Sequence, residues 1–410
     1  MKVKFSYVHM IELVIVANVW SIVLLNNKQS PLYNPLLMAR VFYIIEIIAF
    51  FLCVIIGRHL ELRFGRLFLI ILFSAGQIAA YTYANKTSFL IAFSIHRVLL
   101  WSTAVYIFYF CADMHRWTKK EFHRILNLLV FLGMVACLYN IFANMNNFWE
   151  IMQRPSLYIT YRSLFKSFFP TKSVFAMLVF FSSCAALYFT SINKKIYYLY
   201  YGFFLINVIL SSARSIVVVM LFALMAFEIR NKKFLYAIVF LIIVLFAVYY
   251  IVNRMGRTEF MDAFLFHDRS GTDISSGRFS AWQTFFKRTN YIRLIIGYGF
   301  GSNNALPGIY SRNFALGSYH SMYIDSICQG GLIYLLIMLY FLINSFVSIW
   351  KSNAIRQIKV LFGVMIISYA GVMVTDSLGT LFETQFWSFL SSIFIITLPT
   401  GIAAQGGELK

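Results

Sequence analysis

Apolar residues arrive in long blocks along this chain, and the polar ones are confined to the gaps between them. A block of close to twenty apolar residues can cross a bilayer core of about 30 Å as one helix. By that measure the pattern predicts about twelve spans, at Phe5–Leu25, Leu36–Ile56, Arg66–Ala84, Ser88–Cys111, Ile125–Met145, Thr171–Ile192, Ile196–Ser211, Ser215–Ile229, Phe234–Val252, Gly331–Trp350, Val360–Leu378 and Phe386–Ala403. Inside lipid every backbone N–H and C=O must find a partner within the protein, so spans of this length imply helices and not a barrel. The expected fold is an all-α polytopic membrane protein, one integrated membrane domain. Residues 1–252 carry the first nine helices, 253–320 form a large extracytoplasmic loop, and 321–410 carry the last three.

Composition agrees with the pattern. The chain is 60% hydrophobic and 12% charged, with a mean hydropathy of +0.75, far from the balance of soluble domains. Cys53, Cys111, Cys137, Cys184 and Cys328 all fall in or beside apolar blocks without paired spacing, which argues against a disulfide framework and against zinc. The basic start MKVK leads into an apolar stretch longer than a signal-peptide core, with no small-residue cleavage site after it. It reads as a retained first span.

Charge then orients the spans. With the connections numbered alternately, the basic short ones fall on one side: MKVK, GRHLELRFGR (57–66), MHRWTKKEFHR (114–124), NKK (193–195), RNKK (230–233) and WKSNAIRQIK (350–359). The positive-inside rule makes that side cytoplasmic and puts both termini there. Two outer segments are also basic. One is 146–170, with Arg154, Arg162 and Lys166; the other is the long loop, with Arg254, Arg257, Arg269, Arg278, Lys287, Arg288, Arg293 and Arg312. Long loops are translocated largely regardless of charge, so these leave the topology intact and instead suggest an anionic partner. Most of the net charge of +20 is anchoring against anionic lipid.

Three places stand out for chemistry. In SSARS (211–215) Arg214 lies between two short spans. It is either an arginine snorkelling at a tight turn or a planar fork able to hold a phosphate. In the long loop, HDRSGTDISSGRFSAWQ sets Arg278 beside a flexible glycine, and GYGFGSNN (297–304) follows. The latter lacks the lysine of a phosphate loop and is expected to be a structural turn. At GSYHSMYID (317–325) His320 stands where the chain re-enters the membrane. A histidine there either holds an interfacial hydrogen bond or accepts a proton near neutral pH. Asp325, five residues on, would point away from it on a helix. Arg97 is expected to pair with Glu46 or Glu12, or to face a water-filled cavity. Asp376 and Glu383 flank an outer turn where water alone would satisfy them.

Taken in order, SSARS, the SGR…W of the long loop, GYGFG, and YHSMYID running into QGGLIYLL resemble the O-antigen polymerase and ligase superfamily, from Ser211 to Leu336. The resemblance implies a metal-independent, class-C-like membrane glycosyltransferase without cofactor. It would act on oligosaccharides carried by undecaprenyl diphosphate at the outer face of a bacterial cytoplasmic membrane. Its partners would be those lipid-linked glycans, the bilayer and a chain-length regulator, with no nucleic acid. The same resemblance makes Arg214 and Arg278 diphosphate-binding groups and His320 the base that activates the acceptor hydroxyl. Family members often have Asn after the histidine, where this chain has Ser321. Within the superfamily the expected activity is polymerisation of repeat units, and the alternative is ligation of the glycan to lipid A core. A flippase or secondary transporter is the rival from another class, but such folds show internal repeats and midplane charges, which are not found here.

Overall fold

The computed structural model describes residues 6–25, 31–32, 34–57, 64–83, 98–154, 157–192, 194–230, 242, 278–300, 302, 319–376, 381–382 and 386–407. Among the described residues every regular element is helical. All of the predicted span Phe234–Val252 except Ile242, together with Arg97, Glu383 and the loop residues 253–277, lies outside this set.

Helices occupy the apolar blocks and part of the connections: α1 (Tyr7–Leu25), α2 (Pro35–Gly57), α3 (Phe64–Tyr83), α4 (98–114), α5 (Lys119–Ala143), then α6 (Met145–Gln153) and α7 (Tyr158–Tyr161) in the segment 146–170. After these come α8 (Lys172–Ser191), α9 (Tyr197–Leu210), α10 (Arg214–Arg230), α11 (Arg278–Arg288), α12 (Tyr291–Ile296), α13 (Met322–Lys351), α14 (Arg356–Val372) and α15 (386–404). Four of them, α1, α5, α8 and α13, are long and apolar enough to cross a membrane. The chain is membrane-associated by that criterion. Helices α11 and α12 lie within the stretch read from sequence as loop.

Two compact units divide the chain. One comprises Met1–Phe122, Arg278–Ile355 and Tyr369–Lys410; the other comprises His123–Gly277 and Arg356–Ser368. In the second unit α8 is buried along nearly its whole length. Its Ser182 donates to Leu129 O at 2.8 Å, and a Cβ on Gly133 would run into that serine. Small residues at a helix crossing let the backbones approach closely, as packing within lipid favours.

The first unit is organised by a broken helix. At Gly330 and Gly331 α13 leaves helical geometry, with Gly331 at φ +66°. The freed carbonyls are taken over by the GYGFG segment: Tyr298 N donates to Cys328 O at 2.8 Å and Gly299 N to Gln329 O at 2.9 Å. Gln77 of α3 completes the joint, donating to Gln329 O at 3.2 Å and accepting from Phe300 N at 3.1 Å. Phe300 then packs edge-on against Phe73 and Tyr334, with ring centroids 5.1 and 5.5 Å away. The described part of the glycine-rich stretch, Gly297–Phe300, thus serves as a structural turn.

One expectation is corrected here. Arg293, counted among the loop cations that ask for an anionic partner, turns inward and is buried. Its Nη1 donates to Ala80 O at 2.8 Å and Gly297 O at 3.0 Å, and its guanidinium lies 5.0 Å from the Tyr298 ring. A guanidinium so engaged ties α3 to the turn. Arg293→Met is expected to destabilise the first unit by about 1–3 kcal/mol through the carbonyls left unpaired, read as a lower thermal transition in detergent.

Candidate functional site

Arg278 opens α11, an amphipathic helix whose apolar face docks on the loop exit. Ala281 and Phe285 are buried there with Tyr319, Ile327 and Cys328, and Trp282 packs against them. The Trp282 indole donates to Tyr319 O at 2.7 Å, and the Phe285 and Tyr319 rings are 5.1 Å apart. Apolar packing therefore fixes the backbone on which His320 stands and brings the start of α11 alongside it. The charge of Arg278 reaches the imidazole. Its Nε is shut off from solvent and makes no hydrogen bond among the described residues.

His320 itself has φ +51°, the left-handed region that few non-glycine residues occupy. Such strain is often kept where function needs it. The helix that follows, α13, has Ser321 at its N-cap position and is pinned from the other side: Met322 N donates to Met373 O at 3.0 Å, and Tyr323 Oη to Ala370 O at 2.9 Å. This docking also sets Asp376 near the imidazole. His320 lies before the spanning helix, and its pKa is lowered from 6.5 by burial first and by Arg278 second, against the opposing pull of Asp376. Burial and Arg278 thus favour the neutral, proton-accepting form of the ring.

Sequence reading passed over Asp376, leaving it to water at an outer turn. No spacing rule relates it to His320, because the contact depends on α14 ending beside the start of α13. Asp325 is wholly buried on α13 and its N–H donates to Ser321 O at 2.8 Å. The carboxylate charge felt by His320 is that of Asp376.

Arg214 belongs to the second unit, where it opens α10 directly after the turn Ser211–Ala213. That turn is tight, with Ser212 at φ +55°. Tyr158 Oη donates to Ile209 O at 2.6 Å, and Lys172 Nζ to Ser212 O at 3.4 Å. Burial pushes the Tyr158 hydroxyl up to about 12, while Ser212, Arg162 and Arg214 pull the other way. The structure thus brings Arg278 and His320 together with Asp376, and sets Arg214 among Tyr158, Arg162 and Lys172.

No protein-family model matches the chain, and comparison with curated proteins brings no match.

Proposed function

We propose that the protein is a membrane glycosyltransferase that polymerises oligosaccharide repeat units carried on undecaprenyl diphosphate. The observation that carries the reading is that the packing of Trp282 and Phe285 on Tyr319 sets the start of α11, with Arg278, beside His320 at the loop exit, where burial and the Arg278 charge favour the neutral imidazole and the Asp376 charge opposes them. An acceptor hydroxyl is a poor nucleophile. As its oxygen attacks the anomeric carbon of the donor sugar, its proton passes to the His320 imidazole, which becomes imidazolium. The bond from that carbon to the diphosphate oxygen breaks, and its electron pair stays on the diphosphate. Arg278 offers a fixed guanidinium to that growing negative charge, and enzymes commonly owe more of their rate to electrostatic stabilisation of this kind than to any other effect. Asp376 steadies the imidazolium. Arg214 keeps the phosphate-binding role that the family resemblance gives it.

The test is purified protein in nanodiscs with defined undecaprenyl-diphosphate oligosaccharides and neither nucleotide sugar nor added metal. A ladder of products spaced by one repeat unit is expected, unchanged in EDTA and absent with Arg278→Ala. Arg278→Lys should also be poor, because a point charge does not reproduce a planar fork. Transfer only to lipid A core would make the protein a ligase. Activity lost in EDTA and restored by magnesium would overturn the mechanism, and a full ladder from Arg278→Ala would remove Arg278 from it.

A further inference from the structure

Within the first unit, the exposed side chains of α13 mark where the bilayer begins. They start at Leu332 and recur at Leu336, Tyr340, Ile343, Val347 and Trp350, a single apolar stripe at helical spacing. Among the described residues, the preceding segment Met322–Gly331 shows no large exposed apolar side chain, and its Asp325, Ser326 and Gln329 are buried in protein. From Gly331 to Trp350 no charged residue occurs, and about twenty helical residues match an apolar core of roughly 30 Å. The apolar boundary therefore lies at the break in α13. Helix α12 sits at that level: a Cβ on Gly331 would overlap Ile295 O, and Arg293 Nη1 holds Ala80 O of α3 at 2.8 Å. With Arg293 turned inward, α12 presents Tyr291 and Ile295, 87% and 51% exposed, and Ile292 beside them. Just before it, α11 ends on exposed Phe286, Lys287 and Arg288. Residues 278–300 contain no Asp or Glu. An apolar edge bordered by cations is the make-up of a segment seated at an anionic membrane surface.

We infer that the elbow where α11 turns into α12 is a membrane anchor, seated in the leaflet at the Gly331 end of α13. Tyr291, Ile292 and Ile295 lie in its acyl boundary, and Lys287 and Arg288 lie against the phosphates of anionic phospholipids. Acyl chains take up apolar surface that water would penalise, while long basic side chains extend from the same edge to the headgroups. A second copy of the chain is a poorer occupant, because it would set the same cations against one another. The anchor also fixes the height of the candidate site. The stretch Met322–Gly330, roughly 13 Å long as a helix, separates His320 from the apolar boundary. The inference rests on α13 spanning the membrane and holds whatever reaction the site performs.

The experiment reads depth and lipid identity at the elbow. Tyr291→Cys, Ile295→Cys, Leu336→Cys and Ser280→Cys proteins carry a thiol-linked fluorophore, and the unsubstituted protein, whose five cysteines are buried, gives the background. Each is placed in nanodiscs of equal phosphatidylcholine and phosphatidylglycerol, with bromine on the acyl chains of one lipid or the other. Labels replacing Tyr291 and Ile295 should be quenched by bromolipid as strongly as the label replacing Leu336 in the stripe, and iodide in the buffer should leave them bright. The label replacing Ser280, near the start of α11, should show the reverse. Brominated phosphatidylglycerol should report a local enrichment on the order of fivefold over phosphatidylcholine, the worth of one cation near the surface. Lys287→Gln should shrink that enrichment without changing the summed quenching, and Lys287→Arg should keep it. Iodide quenching without bromolipid quenching at the elbow would place it in water, and protection from both quenchers would mean that protein covers it. Either result overturns the inference, and equal quenching by the two bromolipids with Lys287 in place overturns the assignment to anionic headgroups.

Discussion

On the glycosyltransferase reading proposed above, His320→Gln is expected to slow repeat-unit joining by about 10²–10⁴-fold, the usual worth of a positioned base, while the protein still inserts and folds. Glutamine keeps a hydrogen bond but takes no proton, so near-normal polymer from this variant would reduce His320 to a group that positions the acceptor. The pH profile carries the same test with a sign. Only the neutral imidazole accepts a proton, and burial with Arg278 holds its pKa below 6.5 against Asp376. The kcat/KM of the wild type, which reports the free enzyme, should therefore be low in acid, rise through a midpoint under 6.5 and level off by neutrality. Asp376→Asn removes the anion that favours imidazolium and should move the midpoint down; Arg278→Gln should move the residual activity's midpoint up. Shifts in the reverse directions would contradict the arrangement. His320→Gly separates function from folding. Glycine accepts φ +51° at no steric cost, so this variant should melt no lower than wild type and make no polymer.

Gly331→Ala is expected to cost the first unit about 2–6 kcal/mol, combining a backbone conformation open essentially to glycine with overpacking. With φ at +66°, a Cβ there would overlap the carbonyl oxygen of Ile295 in α12. The opposing turn is equally closed, since a Cβ on Gly297 would sit 2.6 Å from Gly330 N. Relief would require the two backbones to part, breaking the hydrogen bonds from Tyr298 and Gly299 that satisfy the broken helix. A loss of that size is a large fraction of typical net stability. The measurement is a thermal transition in detergent, with Gly202→Ala and Gly371→Ala as controls, because nothing lies within 4 Å of a Cβ at either position. A Gly331→Ala protein as stable as those controls would mean that the break in α13 is not held by this contact.

The helices were legible because the chain writes them in a single variable. A long apolar block has to satisfy its own backbone, and in lipid only a helix does that within one segment. Hence α1, α5 and α8 stand close to where the apolar blocks place them. As candidates, Arg214 and His320 stood out as polar residues at edges of apolar sequence and Arg278 as a cation of the long loop, and the turn at Gly297–Phe300 was legible as well.

Their company was decided by tertiary structure. Arg278 meets His320 because Trp282 and Phe285 of α11 pack against Tyr319. Asp376 joins them because Met322 N is bonded to Met373 O. The inward turn of Arg293 was hidden for the same reason: its acceptors, Ala80 O and Gly297 O, are backbone atoms and leave no mark in residue type. The sequence by itself determined that the chain is helical and membrane-associated, since burial in lipid acts on each segment separately. Which charges share a site was fixed only by the tertiary structure, since electrostatic and hydrogen-bond partners act over a few ångströms of space, whatever their distance along the chain.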